Sequence, residues 1–171
     1  MVALRSPCVA MPNRHQGPPA ERRALDTLVK LSRALESVAG RLNQALDAEG
    51  LTPGQLAVLE ALYHLGPLTQ NVLASKLLRS APNITTVLAN LERDGHVKRA
   101  ALENDRRSRR VSLTPEGRRL IARIFPKHAR RVAALMGVLD ADEQDTLAAL
   151  CRKLGRGVSQ GEQALARGRR D

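Results

Sequence analysis

Hydrophobic residues recur along this chain at steps of three and four, the pattern of helices with one buried face. The first series is Leu25, Leu28, Leu31, Leu35, Val38, Leu42 and Leu46, closed by Gly50. Thr52 with Pro53 and Gln55 reads as an N-cap followed by a first-turn proline. A second helix follows, with Leu56, Leu59, Leu62 and Tyr63 inward and a stop at Gly66-Pro67. Leu68-Thr69 is too short for more than a token strand. Thr69 can cap a third, short helix through Leu73, Ala74, Leu77 and Leu78.

Ser80 and Pro82 mark the start of a fourth helix, with Ser80 as its cap. Its inner face is Ile84, Val87, Leu88 and Leu91, and Gly95 supplies a left-handed stop. The pattern then changes. Residues 97–102 and 110–113 predict two short strands, and the polar run 103–109 predicts the hairpin tip between them. Thr114-Pro115-Glu116-Gly117 opens a long helix carrying Leu120, Ile121, Ile124, Val132, Leu135 and Leu139. Pro126 lies inside it and predicts a kink. Asp140 and Glu143 are spaced as a capping box for a last helix with Leu147, Leu150, Cys151 and Leu154 inward, which Gly155 and Gly157 should end.

Length and composition narrow the class. The chain has 171 residues, 43% of them hydrophobic, enough for one compact domain with a real core. The segment 1–20 is rich in Pro, Gly, Arg and Asn and predicts a flexible arm without a secretory signal. Met11 is an alternative start, which intact mass of the native protein would settle. Two cysteines, Cys8 and Cys151, suit a reduced, cytosolic setting, and Cys151 is expected to be a small buried core residue. No Gly-rich phosphate loop, nucleophile elbow or paired His and carboxylate motif is present, so an enzyme is not expected. His15, His64, His96 and His128 are scattered, so no metal or cofactor is expected either.

Charge points to a partner. The formal net charge is +11, and residues 76–131 alone hold fifteen Lys or Arg against five acids. That imbalance favours a polyanion. Tyr63 and Phe125 are the only aromatic residues, which argues against base-stacking on single strands. The basic residues lack the aromatic anchors of a membrane-surface helix.

The order short helix, tight turn, second helix and basic hairpin is that of a winged helix-turn-helix. Ser80, Pro82, Asn83, Thr85, Thr86 and Asn90 give the fourth helix a slim polar face that suits the major groove. Arg106, Arg107 and Arg109 at the hairpin suit the negative potential of a narrow minor groove, with Arg110 beside them. Asp105 would be repelled by phosphate, so it is expected to brace Arg107 or Arg109. Arg79, Arg93, Lys98 and Arg99 are expected at phosphates.

Five pieces in this order resemble the MarR family of bacterial transcription regulators. They are the stretch Leu51-Thr52-Pro53-Gly54-Gln55, the turn Gly66-Pro67-Leu68-Thr69-Gln70, the run from Asn83 to Gly95, the wing from Asn104 to Val111, and the junction Leu113-Thr114-Pro115-Glu116-Gly117. The resemblance covers residues 25–157. It implies a mainly α, six-helix protomer with a small hairpin wing, in an obligate homodimer on pseudo-palindromic promoter DNA, usually as a repressor. It implies that Arg107 enters the minor groove and that Asp105 braces the wing. It also implies a cytoplasmic protein, nucleoid-associated when DNA-bound, often released by a phenolic or aromatic acid. Arg41, Tyr63 and His64 are candidates for lining such an effector cleft.

The resulting partition is an arm over 1–20, a helical dimerisation region over 21–50 and 115–157, a DNA-binding region over 51–114 and a basic tail over 158–171. The apolar stripes outside 51–114 exceed what one winged domain can cover, which independently favours a dimer. The competing class is a basic architectural protein that binds DNA without sequence choice. A defined Asn and Thr reading helix argues against it.

Overall fold

The computed structural model describes residues 15–77, 80–102 and 105–167, and the side chains of residues 102, 105–108 and 159–167 are not described. The chain forms two compact units, Met1–Gly50 and Leu51–Asp171. The first contributes α1 (Pro19–Asp47). This helix starts before the periodic leucines because Pro19 occupies the first helical position, where its ring costs no hydrogen bond. Leu25, Leu28, Val29 and Leu35 of its stripe are exposed.

The second unit contains α2 (Pro53–Leu65), β1 (Leu68–Thr69), α3 (Gln70–Lys76), α4 (Ala81–Arg93), β2 (Val97–Leu102), β3 (Asp105–Leu113), α5 (Pro115–Met136) and α6 (Ala141–Arg167). Thr52 opens α2 with a full capping box: its hydroxyl accepts from the Gln55 amide at 3.2 Å, and its own amide donates to Gln55 Oε1 at 2.8 Å. Thr69 caps α3 by accepting from Val72 N. Ser80 occupies the N-cap of α4 but makes no side-chain cap bond. Helix α3 is shorter than its sequence pattern: it ends at Lys76, with Leu77 as C-cap, while Leu78 lies outside the described residues.

The strands form one antiparallel sheet in the order β1–β3–β2. The token strand therefore has a place, since Leu68 pairs with Val111 and Thr69 with Arg110. Strand β3 starts at Asp105, well before the expected Arg110. The register explains the difference. Ala101 pairs with Arg109, but the next residue, Leu102, pairs with Asp105. Three residues, Arg106, Arg107 and Ser108, thus have no register partner on β2 and form an irregularity within the strand. Such bulges bend a strand and re-aim its side chains.

Ile84, Leu88 and Leu91 of α4 pack into one core with Leu59, Leu62, Leu73, Val111, Ile121 and Ile124, all essentially inaccessible to solvent. Each such side chain contributes about 1.5–3 kcal/mol on burial, so α4 is held firmly along its inner face. Helix α5 continues through Pro126, because the proline φ is helical and only one backbone bond is lost. It stops at Met136, so Leu139 lies in the following turn. Asp140 and Glu143 form their reciprocal cap at 3.0 and 2.9 Å. Helix α6 does not end at Gly155 or Gly157 but runs to Arg167. Glycine inside a helix costs about 1 kcal/mol relative to alanine, which weakens a helix without terminating it. Cys151, expected in the core, is exposed in this chain, on the same stripe as Leu147, Leu150 and Leu154.

The base of the hairpin is clamped. Gly95 takes φ +74° and closes α4 with a Schellman motif: His96 N donates to Leu91 O at 2.8 Å, and Gly95 N to Glu92 O at 3.0 Å. Thr114 N donates to His96 O, its hydroxyl donates to Gly95 O at 2.6 Å, and the same hydroxyl accepts from Gly117 N at 3.0 Å. Gly117 is buried against this turn. A Cβ there would overlap the His96 carbonyl oxygen and lie 2.8 Å from its carbon. Gly117→Ala is therefore expected to destabilise the fold by about 1–3 kcal/mol, read as a lower denaturant midpoint at unchanged slope; an unchanged midpoint would remove the clamp from this account.

Candidate nucleic-acid interface

The structure turns the small polar face of α4 to solvent. Ser80, Pro82, Asn83, Thr85 and Thr86 are exposed, whereas Asn90 is half-buried at the flank of the helix. The two threonines turn their hydroxyls back. Thr85 Oγ1 donates to Ala81 O at 2.9 Å and Thr86 Oγ1 to Pro82 O at 3.2 Å. Gln70, in the first turn of α3, donates from Nε2 to Thr85 Oγ1 at 2.7 Å. Sequence reasoning gave Gln70 no role. Its signal is only the fifteen-residue separation between two adjacent helices, which periodicity does not encode.

The basic residues sort differently from the sequence expectation. Lys98 is exposed on β2, and Arg109 and Arg110 are exposed on β3. Arg93 is exposed at the end of α4, bonded through Nε to Asp94 Oδ1 at 2.9 Å, a partner that raises the guanidinium pKa. Arg99, expected at phosphate, is committed elsewhere. It grips Glu92 Oε2 with both Nε, at 2.8 Å, and Nη2, and its side chain is only 21% exposed. This pair ties β2 to α4. The Arg99 hydrogen bond holds the Glu92 carboxyl below the usual carboxylate range, and the charge of Arg109 adds to the effect. The same bond raises the Arg99 guanidinium further. Arg79 and the side chains of Asp105, Arg106 and Arg107 lie outside the described residues.

Tyr63 and His64 belong to a ring cluster. His64 stands edge-on to Tyr63 at 5.2 Å and to Phe125 of α5 at 4.8 Å. The Arg118 guanidinium lies over the Tyr63 ring at 5.8 Å. Arg41 is exposed on α1, in the other unit.

A rigid helix with a slim polar face, preceded by a short helix and followed by a basic three-stranded wing, defines a winged helix-turn-helix DNA-binding protein. Residues 51–108 match the MarR family profile. The chain is 36% identical over 133 residues to the transcriptional regulator YkoM of Bacillus subtilis, covering 78% of this chain and 86% of that protein. It is 31% identical over 138 residues to MhqR of the same organism, covering 81% and 95%. Among solved structures, a mutant of Escherichia coli MarR complexed with operator DNA is similar at TM-score 0.69 and 26% identity, covering 78% of this chain and 95% of that one. This chain belongs to the MarR family of transcriptional regulators; it is a DNA-binding regulator and not an enzyme.

Glu92→Gln tests the tie between wing and reading helix. Because the Glu92 carboxyl titrates lower in the folded chain, its stabilisation is present above the ordinary glutamate range and is lost as pH falls through the lowered value. Glu92 is partly solvent-exposed, so the effect is modest, under about 1 kcal/mol. Denaturation midpoints of wild type and Glu92→Gln should differ at pH 7 and converge in acid. A difference that persists unchanged at low pH would assign the loss to packing.

Proposed function

We propose that this protein is a homodimeric repressor that reads a pseudo-palindromic operator and leaves it on binding a small aromatic acid. The observation that carries the DNA-reading part is the exposed Asn83, Thr85 and Thr86 face on a helix whose other side is fully buried. In this reading α4 lies in the major groove through Ser80, Pro82, Asn83, Thr85, Thr86 and Asn90. Arg107 enters the minor groove with Arg106 and Arg109 beside it, and Asp105 braces the wing. Arg79, Arg93 and Lys98 hold phosphates, with Arg99 acting through Glu92. The protein works in the cytoplasm.

Unpartnered apolar surface supports the dimer. On α1, Leu28 and Leu35 are 58% and 67% exposed. On α6, Leu150, Leu154 and Val158 are each more than half exposed. A groove of about 450 Å³ at the start of α6, lined by Leu139, Leu147 and Leu150 among others, extends the same apolar surface. A second copy burying these stripes would set two α4 helices about 34–36 Å apart, one helical turn of DNA. In this reading residues 21–50 and 115–157 form the dimer region and 51–114 the DNA-binding region. The effector reading rests on the ring cluster of Tyr63, His64 and Phe125 with Arg118, whose flat faces and cation match an aromatic carboxylate. The curated relative BadR of Rhodopseudomonas palustris, 44% identical over 78 residues, is named a transcriptional activatory protein. A promoter fusion therefore decides the sign here.

Selection of bound duplexes from a random library at physiological salt is expected to enrich an inverted repeat with half-sites about one turn apart. Binding without an enriched motif would favour the architectural class. On the selected site, Arg107→Ala should weaken binding by about 1–3 kcal/mol and relax preference at A·T flanks. Asp105→Ala should also weaken binding although it removes a negative charge, and tighter binding would end the bracing role. Separately, the double substitution Leu150→Glu with Leu154→Glu should halve the mass seen by light scattering and abolish operator binding. A dimer that survives both charges would place the interface elsewhere.

A further inference from the structure

The hydrogen bonds around Thr85 restrict what the reading helix can recognise. A threonine hydroxyl has one proton. At Thr85 that proton goes to Ala81 O at 2.9 Å. The Gln70 side chain must then be the donor in its contact with the same oxygen, and it donates from Nε2 at 2.7 Å. The proton of the hydroxyl is thus committed, and one of the two acceptor sites on its oxygen is filled. Thr86 likewise spends its proton on Pro82 O. Both residues are nonetheless exposed. Neither threonine has a proton left for guanine O6, for a purine N7 or for thymine O4. What Thr85 can still offer a base is its γ-methyl group and one acceptor lone pair.

Resting on the reading that places α4 in the major groove, we infer that Thr85 recognises thymine through its 5-methyl group. Gln70 is the positioning residue that sharpens this: by donating to Thr85 Oγ1 it occupies an acceptor site that a base amino group could otherwise use. The major groove offers a methyl only at thymine, so two apolar groups meeting there discriminate without a hydrogen bond. Asn83, exposed on the same helix, supplies the complementary chemistry, an amide that can pair with adenine N6 and N7. The expected half-site therefore joins an adenine to a nearby thymine, read by an amide and a methyl respectively. Release of Gln70 would open that acceptor site to the amino group of an adenine or cytosine, and the preference at that base pair would widen.

The test uses the full chain on its selected operator, with each thymine replaced singly by deoxyuridine, which removes only the methyl. Wild-type protein should lose about fourfold in affinity at the thymine facing Thr85, the worth of one buried methyl. Thr85→Val keeps the methyl and should show the same loss at that position. Thr85→Ser keeps only the hydroxyl and should show none. Gln70→Met keeps length and volume but cannot donate. It should leave the thermal midpoint near wild type while admitting adenine or cytosine at that position in a repeated selection. The inference is overturned if Thr85→Val loses the deoxyuridine penalty, if Thr85→Ser retains it, or if Gln70→Met weakens all sequences evenly. If wild type selects no sequence at all, the DNA-reading proposal fails first, and that result is distinct from each of these.

Discussion

The turn Gly95-His96 and the turn Thr114-Gly117 are pressed together, and the orientation of the reading head depends on that contact. One threonine hydroxyl bonds both sides, donating to Gly95 O and accepting from Gly117 N. One carbonyl, of His96, accepts from Thr114 N and lies against the Cα of Gly117. These turns are the C-terminus of α4, both ends of the wing and the N-terminus of α5. Beyond the two-residue strand β1 and the buried Val97 and Val111, this clamp is what ties the hairpin to the core. With it, the first pair of the ribbon, Val97 with Leu113, is anchored at the foot of the reading helix. If α4 and the wing enter neighbouring grooves as proposed, an angle fixed before binding spares the cost of ordering them on the DNA.

The second constraint is electrostatic. A surface that attracts phosphate repels itself, and residues 76–131 carry a large positive excess. Glu92 is placed where it relieves this. It is partly covered beneath Arg99, which it neutralises, and it feels Arg109 further along β3. The acid therefore binds wing to helix and lets Arg109 stay exposed at lower cost. Lys98, beside it on β2, points to solvent. Alternation along one strand thus separates a structural cation at 99 from an available one at 98, as the period of two requires.

The elements were legible in the sequence where punctuation was local. Thr52, Thr69, Gly95, Thr114 and the Asp140 box act within four residues of their helices, and each appears where its residue type suggested. Less legible was whatever depended on a second segment. The early start of β3 follows from a register irregularity opposite Ala101 and Leu102, which no periodicity in β3 reveals. The Glu92–Arg99 pair spans seven residues across a turn and a change of element, and Gln70 reaches Thr85 across two helices. That Arg99 already has a carboxylate partner is not written in its charge either.

Helix α6 carries the remaining lesson. Gly155 and Gly157 should have ended it, and on local propensity alone two glycines within three residues cost about 2 kcal/mol relative to alanine. A helix so weakened persists only where packing outweighs propensity. Yet within this chain its apolar stripe, Leu147, Leu150, Leu154 and Val158, lies open to solvent. The proposed second copy would supply that packing, since it offers an identical stripe in return. Burying four such side chains per chain would contribute several kcal/mol, more than the glycines take away. On that footing Cys151, exposed here among these leucines, behaves as a small apolar interface residue. Under the proposed dimer, folding of α6 and pairing of two chains would become one equilibrium.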